Sequence, residues 1–226
     1  MQEVLLALPV LLFSMVAHEY AHGYAALRQG DPTAYMLGRL TFNPIKHIDP
    51  WMTIALPLLL GLSSGGRVIF GGAKPVPVNP RNYRNYRRGD IIVSLAGIAT
   101  NLALAVVCMG LVVGLWALAQ AIPVAGQSVA LLQRMMFWGI WLNLLLACFN
   151  LIPIPPLDGS HVLYHFLPPA LGAQFRALSQ YGFLILLMLM LFFQGLFSVL
   201  LFPAILMYAS AVHVTLPFAL MTPPLL

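Results

Sequence analysis

The fold is decided by the stretch AHEYAHG, residues 17–23, which lies inside an apolar run that extends from residue 4 to residue 27. On a helix, His18 and His22 are four positions apart, so their side chains share one face and can bind one metal ion. Glu19 lies beside them, where it can accept a proton from metal-bound water. Because the flanking residues are apolar, the motif is predicted to lie at membrane depth and not in the watery cleft of a soluble protease.

The composition favours a membrane protein. Of the 226 residues, 61% are hydrophobic and only 8% are charged, whereas soluble domains carry about 25% charged residues. We therefore predict an all-α polytopic membrane protein with about five transmembrane helices. Residues 1–226 are expected to form one domain, with a catalytic core over about residues 4–165 and C-terminal helices over about residues 178–214.

Three long apolar runs predict spans at residues 4–27, 91–122 and 129–152. The run at residues 51–62 is too short to cross the membrane, since a span needs about 20 residues. It is predicted to be re-entrant, leaving the membrane on the side that it entered. Residues 67–70 predict a short strand, and a loop rich in Gly and Pro follows it.

The C-terminal apolar run, residues 180–214, is too long for one straight span. Its polar, Gly and Pro interruptions are compatible either with one span and a surface helix or with two short helices. Residues 161–179, ahead of this run, are amphipathic and are predicted to lie at the membrane interface.

The distribution of basic residues predicts the orientation. If the first span runs from outside to inside, the segments 28–50, 63–90 and 153–179 share one side. That side then carries all but one of the 11 Lys and Arg residues, and the positive-inside rule makes it cytoplasmic. The net charge of +5 is thereby explained by topology and lipid headgroups, and no nucleic acid partner is expected. The residues on this side are Arg28, Arg39, Lys46, Arg67, Lys74, Arg81, Arg84, Arg87, Arg88 and Arg176, which leaves Arg134 on the other.

The topology also predicts a third metal ligand. His22 lies shortly before Leu27, about 8 Å from the cytoplasmic end of its span at 1.5 Å per residue. Asp158 follows the cytoplasmic end of another span, so the two residues reach the same depth on the same side. A His-His-Asp set leaves the fourth position of a zinc ion open for water, as catalytic zinc sites do. His161 and His165 are interpreted as interfacial groups, or as groups that support the ligands from behind.

Three motifs are similar to those of a known family. HEYAH at residues 18–22, NLIPIPPLDG at residues 150–159 and GGAKPVPVNP at residues 71–80 together resemble the site-2 protease family of intramembrane zinc metalloproteases. The similarity is to the small members without a PDZ or CBS domain, and it covers roughly residues 10–165. One motif departs from the family pattern: AGPxxN reads AGIATN at residues 96–101, so the proline is missing while the glycine and the asparagine remain.

The resemblance implies an activity and the groups that perform it. A member of this family holds one Zn²⁺ with the two histidines and Asp158, uses Glu19 as the catalytic base, and places Asn150 where it can donate to the substrate or to the oxyanion. Its substrates are membrane proteins, cut within or near a transmembrane segment. The chain is accordingly expected to be a multi-pass protein of a bacterial or archaeal plasma membrane, with its active site near the cytoplasmic face.

Four further residues are predicted to contact the substrate. A transmembrane helix must unwind locally before hydrolysis, and Phe70, Gly71 and Gly72 lie where a strand and a loop can hold the unwound peptide by strand addition. The alternative is a purely structural loop. Asn101 is the fourth residue, and the alternative for a lone Asn in a span is a hydrogen bond between helices.

A divalent-metal transporter or a metal-sensing membrane protein is the alternative from another functional class. It would use the same ligands without a catalytic base. The sequence shows no internal repeat and no second set of intramembrane ligands, and this disfavours a transporter.

Overall fold

The computed structural model describes residues 2–63, 71–122, 124 and 126–224. In these parts all regular structure is helical, and no residue belongs to a strand. The α-helices are α1 (Gln2–Gln29), α2 (Thr33–Met36), α3 (Leu56–Ser63), α4 (Tyr86–Ala121), α5 (Gly126–Leu151), α6 (Asp158–Tyr164), α7 (Pro169–Leu178), α8 (Gly182–Phe192) and α9 (Gln194–Thr215).

Five helical stretches in the described parts are long and apolar enough to cross a membrane. This confirms the prediction of an all-α polytopic membrane protein with about five transmembrane helices. The stretches are Glu3–Gln29, Tyr86–Ala121, Gly126–Leu151, Pro169–Phe192 and Gln194–Phe218.

The C-terminal apolar run forms two helices, a point that the sequence left open. α8 ends at Phe192 and α9 begins at Gln194, because Phe193 between them has a non-helical conformation with φ −119° and ψ 46°. α7 falls within the segment expected at the membrane interface, yet it continues into α8 through a single 3₁₀ turn. The two therefore form one helical stretch that begins at Pro169.

The centre of the bundle is formed by α1, α4 and α5, and α9 packs on α5. Phe137 and Ile140 of α5 are almost completely buried between these helices. α4 and α5 approach closely because Gly139 faces Cys108: a Cβ at Gly139 would lie only 2.5 Å from Cys108 Sγ. Close approach of this kind brings polar side chains of neighbouring helices within hydrogen-bonding distance.

Ionic contacts hold together the end of the bundle that lies away from the histidine motif. Arg134 Nη2 of α5 lies 2.7 Å from Glu3 Oε1 of α1. Trp138 Nε1 donates a hydrogen bond to Glu3 Oε2 at 2.7 Å. Arg134, the one basic residue predicted to lie on the other side of the membrane, is therefore paired with the carboxylate of Glu3.

The opposite end of the bundle gathers the connections that carry most of the basic residues. The N–H of Arg84 donates to the carbonyl of Gln29 at 2.9 Å, so the segment before α4 lies against the end of α1. Arg176 of α7 donates to the hydroxyl of Tyr86, at the start of α4, at 2.8 Å. In their described parts, the segments predicted to share one side thus meet at one end of the bundle.

A short apolar helical segment lies between α2 and the loop before α4. Asp49 caps it by accepting hydrogen bonds from the N–H groups of Trp51 and Met52, both at 2.9 Å. A π turn over Pro50–Ala55 then leads into α3. The Trp51 side chain is 73% exposed, as expected for a segment covered by lipid. Its re-entrant path stays a prediction, and the strand predicted at residues 67–70 lies outside the described residues.

Asp31 ties the loop before α4 to the end of α1. Its side chain is fully buried and accepts hydrogen bonds from the N–H of Asn79 at 2.6 Å and from Asn82 Nδ2 at 2.8 Å. Thr33 donates to it as well. Burial alone would raise the pKa of Asp31, but these hydrogen bonds outweigh burial and hold the pKa below its usual range. The folded chain therefore favours the ionised carboxylate.

Asp31→Asn is expected to destabilise the fold by about 2 kcal/mol, the scale of a lost hydrogen bond to a charged group. Because the pKa of Asp31 is lower in the folded chain, its contribution is complete above the unfolded pKa of about 3.9 and is lost as the pH falls through the folded pKa. The difference in thermal stability between wild type and variant, measured in detergent, should be large at pH 7 and shrink below about pH 4. Thr33→Val, a milder control, should cause a smaller loss at pH 7. Equal stabilities of Asp31→Asn and wild type at pH 7 would contradict this role.

Candidate metal centre

Three potential metal ligands converge where α1 meets α6. His18 and His22 lie on one face of α1, and their Nε2 atoms are 2.9 Å apart. Asp158 is the first residue of α6, and its Oδ2 lies 3.2 Å from each of the two Nε2 atoms. Ligand atoms of all three residues lie within 4.8 Å of one another.

The surroundings of His22 determine which nitrogen carries the proton when the ring is neutral. Its Nδ1 lies 2.7 Å from the backbone carbonyl oxygen of Val93 on α4. A carbonyl oxygen can only accept, so Nδ1 carries the proton. A neutral imidazole carries one proton, and Nε2 therefore presents a lone pair towards Asp158.

A chain of amides orients His18 in the same way. Asn143 Nδ2 donates to the carbonyl of Gly139 and to Ser14 Oγ, both at 2.9 Å. Because the carbonyl of Gly139 can only accept, the atom of Asn143 that faces it must be the nitrogen. Asn143 Oδ1 therefore accepts from Asn101 Nδ2 at 2.8 Å. Asn101 Oδ1 then faces His18 Nδ1 at 2.6 Å and accepts its hydrogen bond. In the neutral His18 ring, Nε2 is therefore the nitrogen that carries the lone pair.

The donor set fits a zinc ion. Among the described residues, buried Asp158 Oδ2 faces only the two imidazole Nε2 atoms, each 3.2 Å away. When both rings are neutral, these three atoms are all acceptors, and a cation between them stabilises the arrangement. Ligands bound about 2.0–2.1 Å from a tetrahedral zinc ion lie roughly 3.3 Å from one another, close to the separations of 2.9 Å and 3.2 Å found here. Two histidines and one carboxylate also leave the open position that catalytic zinc sites keep.

Gly97 of α4 provides the space for the two imidazoles. A Cβ at this position would lie 2.5 Å from His18 Cε1 and 2.6 Å from His22 Nε2. Both distances are far below van der Waals contact, so any other residue would push α4 away from the rings. The absence of a side chain at Gly97 therefore determines how closely α1 and α4 approach.

Glu19 lies beside the ligands and is held by the loop before α4. Its Oε2 accepts a hydrogen bond from the backbone N–H of Val76 at 2.7 Å. Val76 is buried and packs over Gly23, where a Cβ would lie 2.8 Å from Val76 Cγ1. Because Gly23 has no side chain, the loop can come close enough to donate a hydrogen bond to Glu19.

The loop glycines predicted to contact substrate pack on the apolar segment that leads into α3. In the Pro50–Ala55 turn, the carbonyl of Met52 accepts a hydrogen bond from the N–H of Gly72 at 3.0 Å. The hydroxyl of Thr53 in the same turn donates to the carbonyl of Gly72 at 2.7 Å. Gly71 lies against Pro57, and a Cβ there would be 2.5 Å from Pro57 Cγ. The main-chain groups of Gly72 are therefore engaged within the chain. Phe70, the third residue of this prediction, lies outside the described residues.

The two asparagines singled out in the sequence have different surroundings. Asn101, predicted to contact substrate, is fully buried and uses both ends of its amide, towards His18 and Asn143. This is the hydrogen bonding between helices that was the alternative, and it directs Asn101 at His18 instead of at a substrate. Asn150, near the end of α5, is partly exposed, and its Nδ2 donates to the carbonyl of Leu146 at 2.9 Å within its own helix.

Three residues that contribute to the centre were not predicted from the sequence. Val93 acts through its backbone carbonyl, which no side-chain pattern reveals. Ser14 lies four residues before His18 on the histidine face of α1, and this spacing was the available signal. Asn143 is a lone Asn in an apolar span, so its partner across the bundle becomes evident only from the packing of α4 against α5.

A cavity of about 690 Å³ opens at the same end of the bundle. Its walls come from the end of the loop before α4, the first turns of α4, the Pro155–Pro156 turn, α6 and α7. Ser160 and His161 line it, and both lie within one turn of Asp158. A partly polar space therefore adjoins the segment that carries the third ligand.

Comparison with known proteins covers the whole of this centre. The family described as peptidase family M50 matches residues 6–130 and 112–192. The Bacillus subtilis (strain 168) protein named "Putative zinc metalloprotease YwhC" is 41% identical over 179 residues, which are 79% of this chain and 77% of that protein. Rip2 of Mycolicibacterium smegmatis (strain ATCC 700084 / mc(2)155), which carries the same description, is 36% identical over 180 residues, 80% of this chain and 64% of that protein. No solved structure matches significantly.

The matched residues include both histidines, Glu19 and Asp158. They extend over well more than half of the chain, and the first relative is similar over most of its own length. The chain therefore belongs to peptidase family M50, the site-2 protease family.

Proposed function

We propose that this membrane zinc metalloprotease hydrolyses peptide bonds within or near transmembrane segments of other membrane proteins. The observation that carries the proposal is the convergence of His18 and His22 of α1 with Asp158 of α6, beside Glu19. α1 is long and apolar enough to cross the membrane. The relatives named as zinc metalloproteases support both the metal and the reaction class.

His18, His22 and Asp158 are the proposed ligands of one zinc ion. When bound, the ion supplies Lewis-acid polarisation of the scissile carbonyl and lowers the pKa of a water molecule. The carbonyl of Val93 and the amide of Asn101 keep the histidines in the tautomer whose Nε2 can bind metal.

Glu19 is the proposed catalytic base. The N–H of Val76 holds one of its carboxylate oxygens, and the other oxygen is left to accept a proton from the attacking water. Glu19 then passes that proton to the leaving amine. Asn150 is the proposed donor to the substrate or the oxyanion, because its Nδ2 has a second hydrogen beyond the bond to Leu146.

The proposed substrates are transmembrane helices that unwind near this end of the bundle. A helix hides its carbonyls in its own hydrogen bonds, so local unwinding must precede attack. The cavity beside α6 supports the proposal that water reaches the centre from this side and that the polar ends of the products leave by the same path. The basic residues of the adjoining connections support a plasma-membrane orientation with this end at the cytoplasmic face.

Glu19→Gln tests the reaction. The purified protein is reconstituted with single-span substrates, and cleavage and zinc content are measured together. The variant should retain zinc, because the three ligands are unchanged, and should lose cleavage by about 10²-fold to 10⁴-fold, the usual contribution of a general base. Glu3→Gln, a change in the distant ion pair on the same helix, is the matched control and should still cleave.

Two outcomes would contradict the proposal. Cleavage by Glu19→Gln at the wild-type rate would remove Glu19 from the reaction. Movement of zinc into liposomes by a wild-type protein that cleaves no substrate would favour the transporter alternative.

Gly97→Ala tests the geometry of the metal centre. The added methyl group would lie within 2.6 Å of both imidazoles, so it should lower zinc affinity at least about tenfold, the low end of the effect of disturbing groups behind metal ligands. Gly110→Ala on the same helix meets no atom within 4 Å and should leave zinc affinity unchanged. Competition with a chelator measures both. Equal zinc affinities of the two variants would show that the close approach of α4 does not shape the site.

A further inference from the structure

One face of α4 carries a series of groups that serve the metal ligands. Asp90, Val93, Gly97 and Asn101 recur every three or four residues, so they lie on a single stripe of the helix. The carbonyl of Val93 orients His22, Gly97 leaves room for the imidazoles, and Asn101 orients His18. Asp90 begins the stripe and contacts α6 instead of α1.

Asp90 is a buried carboxylate with histidine partners. Its side chain is 7% exposed, and its Oδ2 lies 2.7 Å from Nε2 of His165, whose side chain is 5% exposed. A carboxylate accepts, so His165 Nε2 donates. His161 Nδ1 lies farther away, at 3.6 Å, on a side chain that is 55% exposed. The contact with His165 is therefore the main one.

The ring of His165 has little freedom to move. It lies edge to face with the ring of Tyr86, with centroids 5.3 Å apart, and with the ring of Tyr164, with centroids 5.1 Å apart. Tyr86 and Asp90 both belong to the first turns of α4. The last residue of α6 and the residue after it are thus fixed against the start of α4.

α6 carries the third ligand at its other end. Asp158, His161 and His165 are spaced by three and four residues, so one side of this short helix faces both the metal ligands and Asp90. Leu157 precedes the helix without a side-chain cap. α6 packs mainly on α4. A rotation of α6 about its axis would therefore move Asp158 away from the histidines and His165 away from Asp90 at the same time.

We propose that Asp90 and His165 are positioning residues that set the angular position of α6 and thereby aim Asp158 at the metal. The inference rests on the metal centre of the proposed function. In this arrangement α4 controls all three ligands: Val93 and Asn101 act on the histidines, and Asp90 acts on the carboxylate through His165.

Cobalt titration of the full chain in detergent tests the proposal, because the visible spectrum of Co²⁺ reports both affinity and coordination geometry. His165→Phe keeps a ring but removes the hydrogen bond to Asp90. It should weaken Co²⁺ binding about tenfold to a hundredfold and change the spectrum. His165→Gln retains a donor and should recover a large part of the affinity. Asp90→Asn changes the other partner of this hydrogen bond and should weaken Co²⁺ binding as His165→Phe does.

A double-mutant cycle separates positioning from general stability. In an Asp158→Ala background, His165→Phe should cause no further loss of Co²⁺ affinity, because the ligand through which it acts is gone. Asn101→Ala acts through His18 and should lower affinity in both backgrounds. If His165→Phe lowers affinity equally in both backgrounds, or not at all, the positioning role is wrong while the metal centre stands. If Asp158→Ala itself leaves Co²⁺ affinity unchanged, the proposed centre fails instead.

Discussion

The convergence of three potential metal-binding atoms in an apolar bundle is the constraint around which the described structure is arranged. When the imidazoles are neutral, Nε2 of His18, Nε2 of His22 and Oδ2 of Asp158 face one another as acceptors, and a cation between them stabilises this arrangement. Both imidazoles are oriented from behind by groups on α4, namely Asn101 and the carbonyl of Val93. A rigid frame is needed for this, because an imidazole free to rotate would turn its lone pair away. Gly97 and Gly139 supply the frame by allowing α1, α4 and α5 to pack with their backbones close together.

The polar chain behind His18 shows how a membrane interior accepts hydrogen-bonding side chains. It runs from His18 through Asn101 to Asn143, whose Nδ2 donates both to Ser14 Oγ and to the backbone carbonyl of Gly139. The oxygen of each amide accepts a hydrogen bond and the nitrogen of each amide donates at least one, so neither end of either amide is buried without a partner. The carbonyl of Gly139 can only accept a hydrogen bond. It therefore determines which atom donates and which accepts in every other hydrogen bond between the amides and His18. The tautomer of the neutral His18 ring is thus determined three hydrogen bonds away from it.

Hydrophobic pattern and motif spacing were sufficient to predict the helical membrane fold and the residues that now lie together. The first three spans are long apolar runs, His18 and His22 were predicted from the spacing of the HEYAH motif, and Asp158 was predicted from its depth and side. Other features depend on packing that no single run of sequence encodes. For Asn101 the sequence left both substrate contact and a hydrogen bond between helices open, because a lone Asn does not reveal its partner. The break at Phe193 follows from one residue's backbone angles, and the contribution of Val93 comes from a carbonyl that every residue has.

The bond between Glu19 and the loop before α4 comes from the backbone N–H of Val76 and not from a side chain. Any residue except proline at this position supplies the same donor. The orientation of the carboxylate therefore depends on the number of residues in the loop and on its anchors, namely Gly72 on the Pro50–Ala55 turn and Asn79 on Asp31. Side chains along this stretch are free to vary within the limits of packing, whereas an inserted or deleted residue would shift the donor by about one residue length, roughly 3.3 Å. The length of this loop, more than the chemistry of its side chains, therefore determines how the Glu19 carboxylate is held beside His18 and His22.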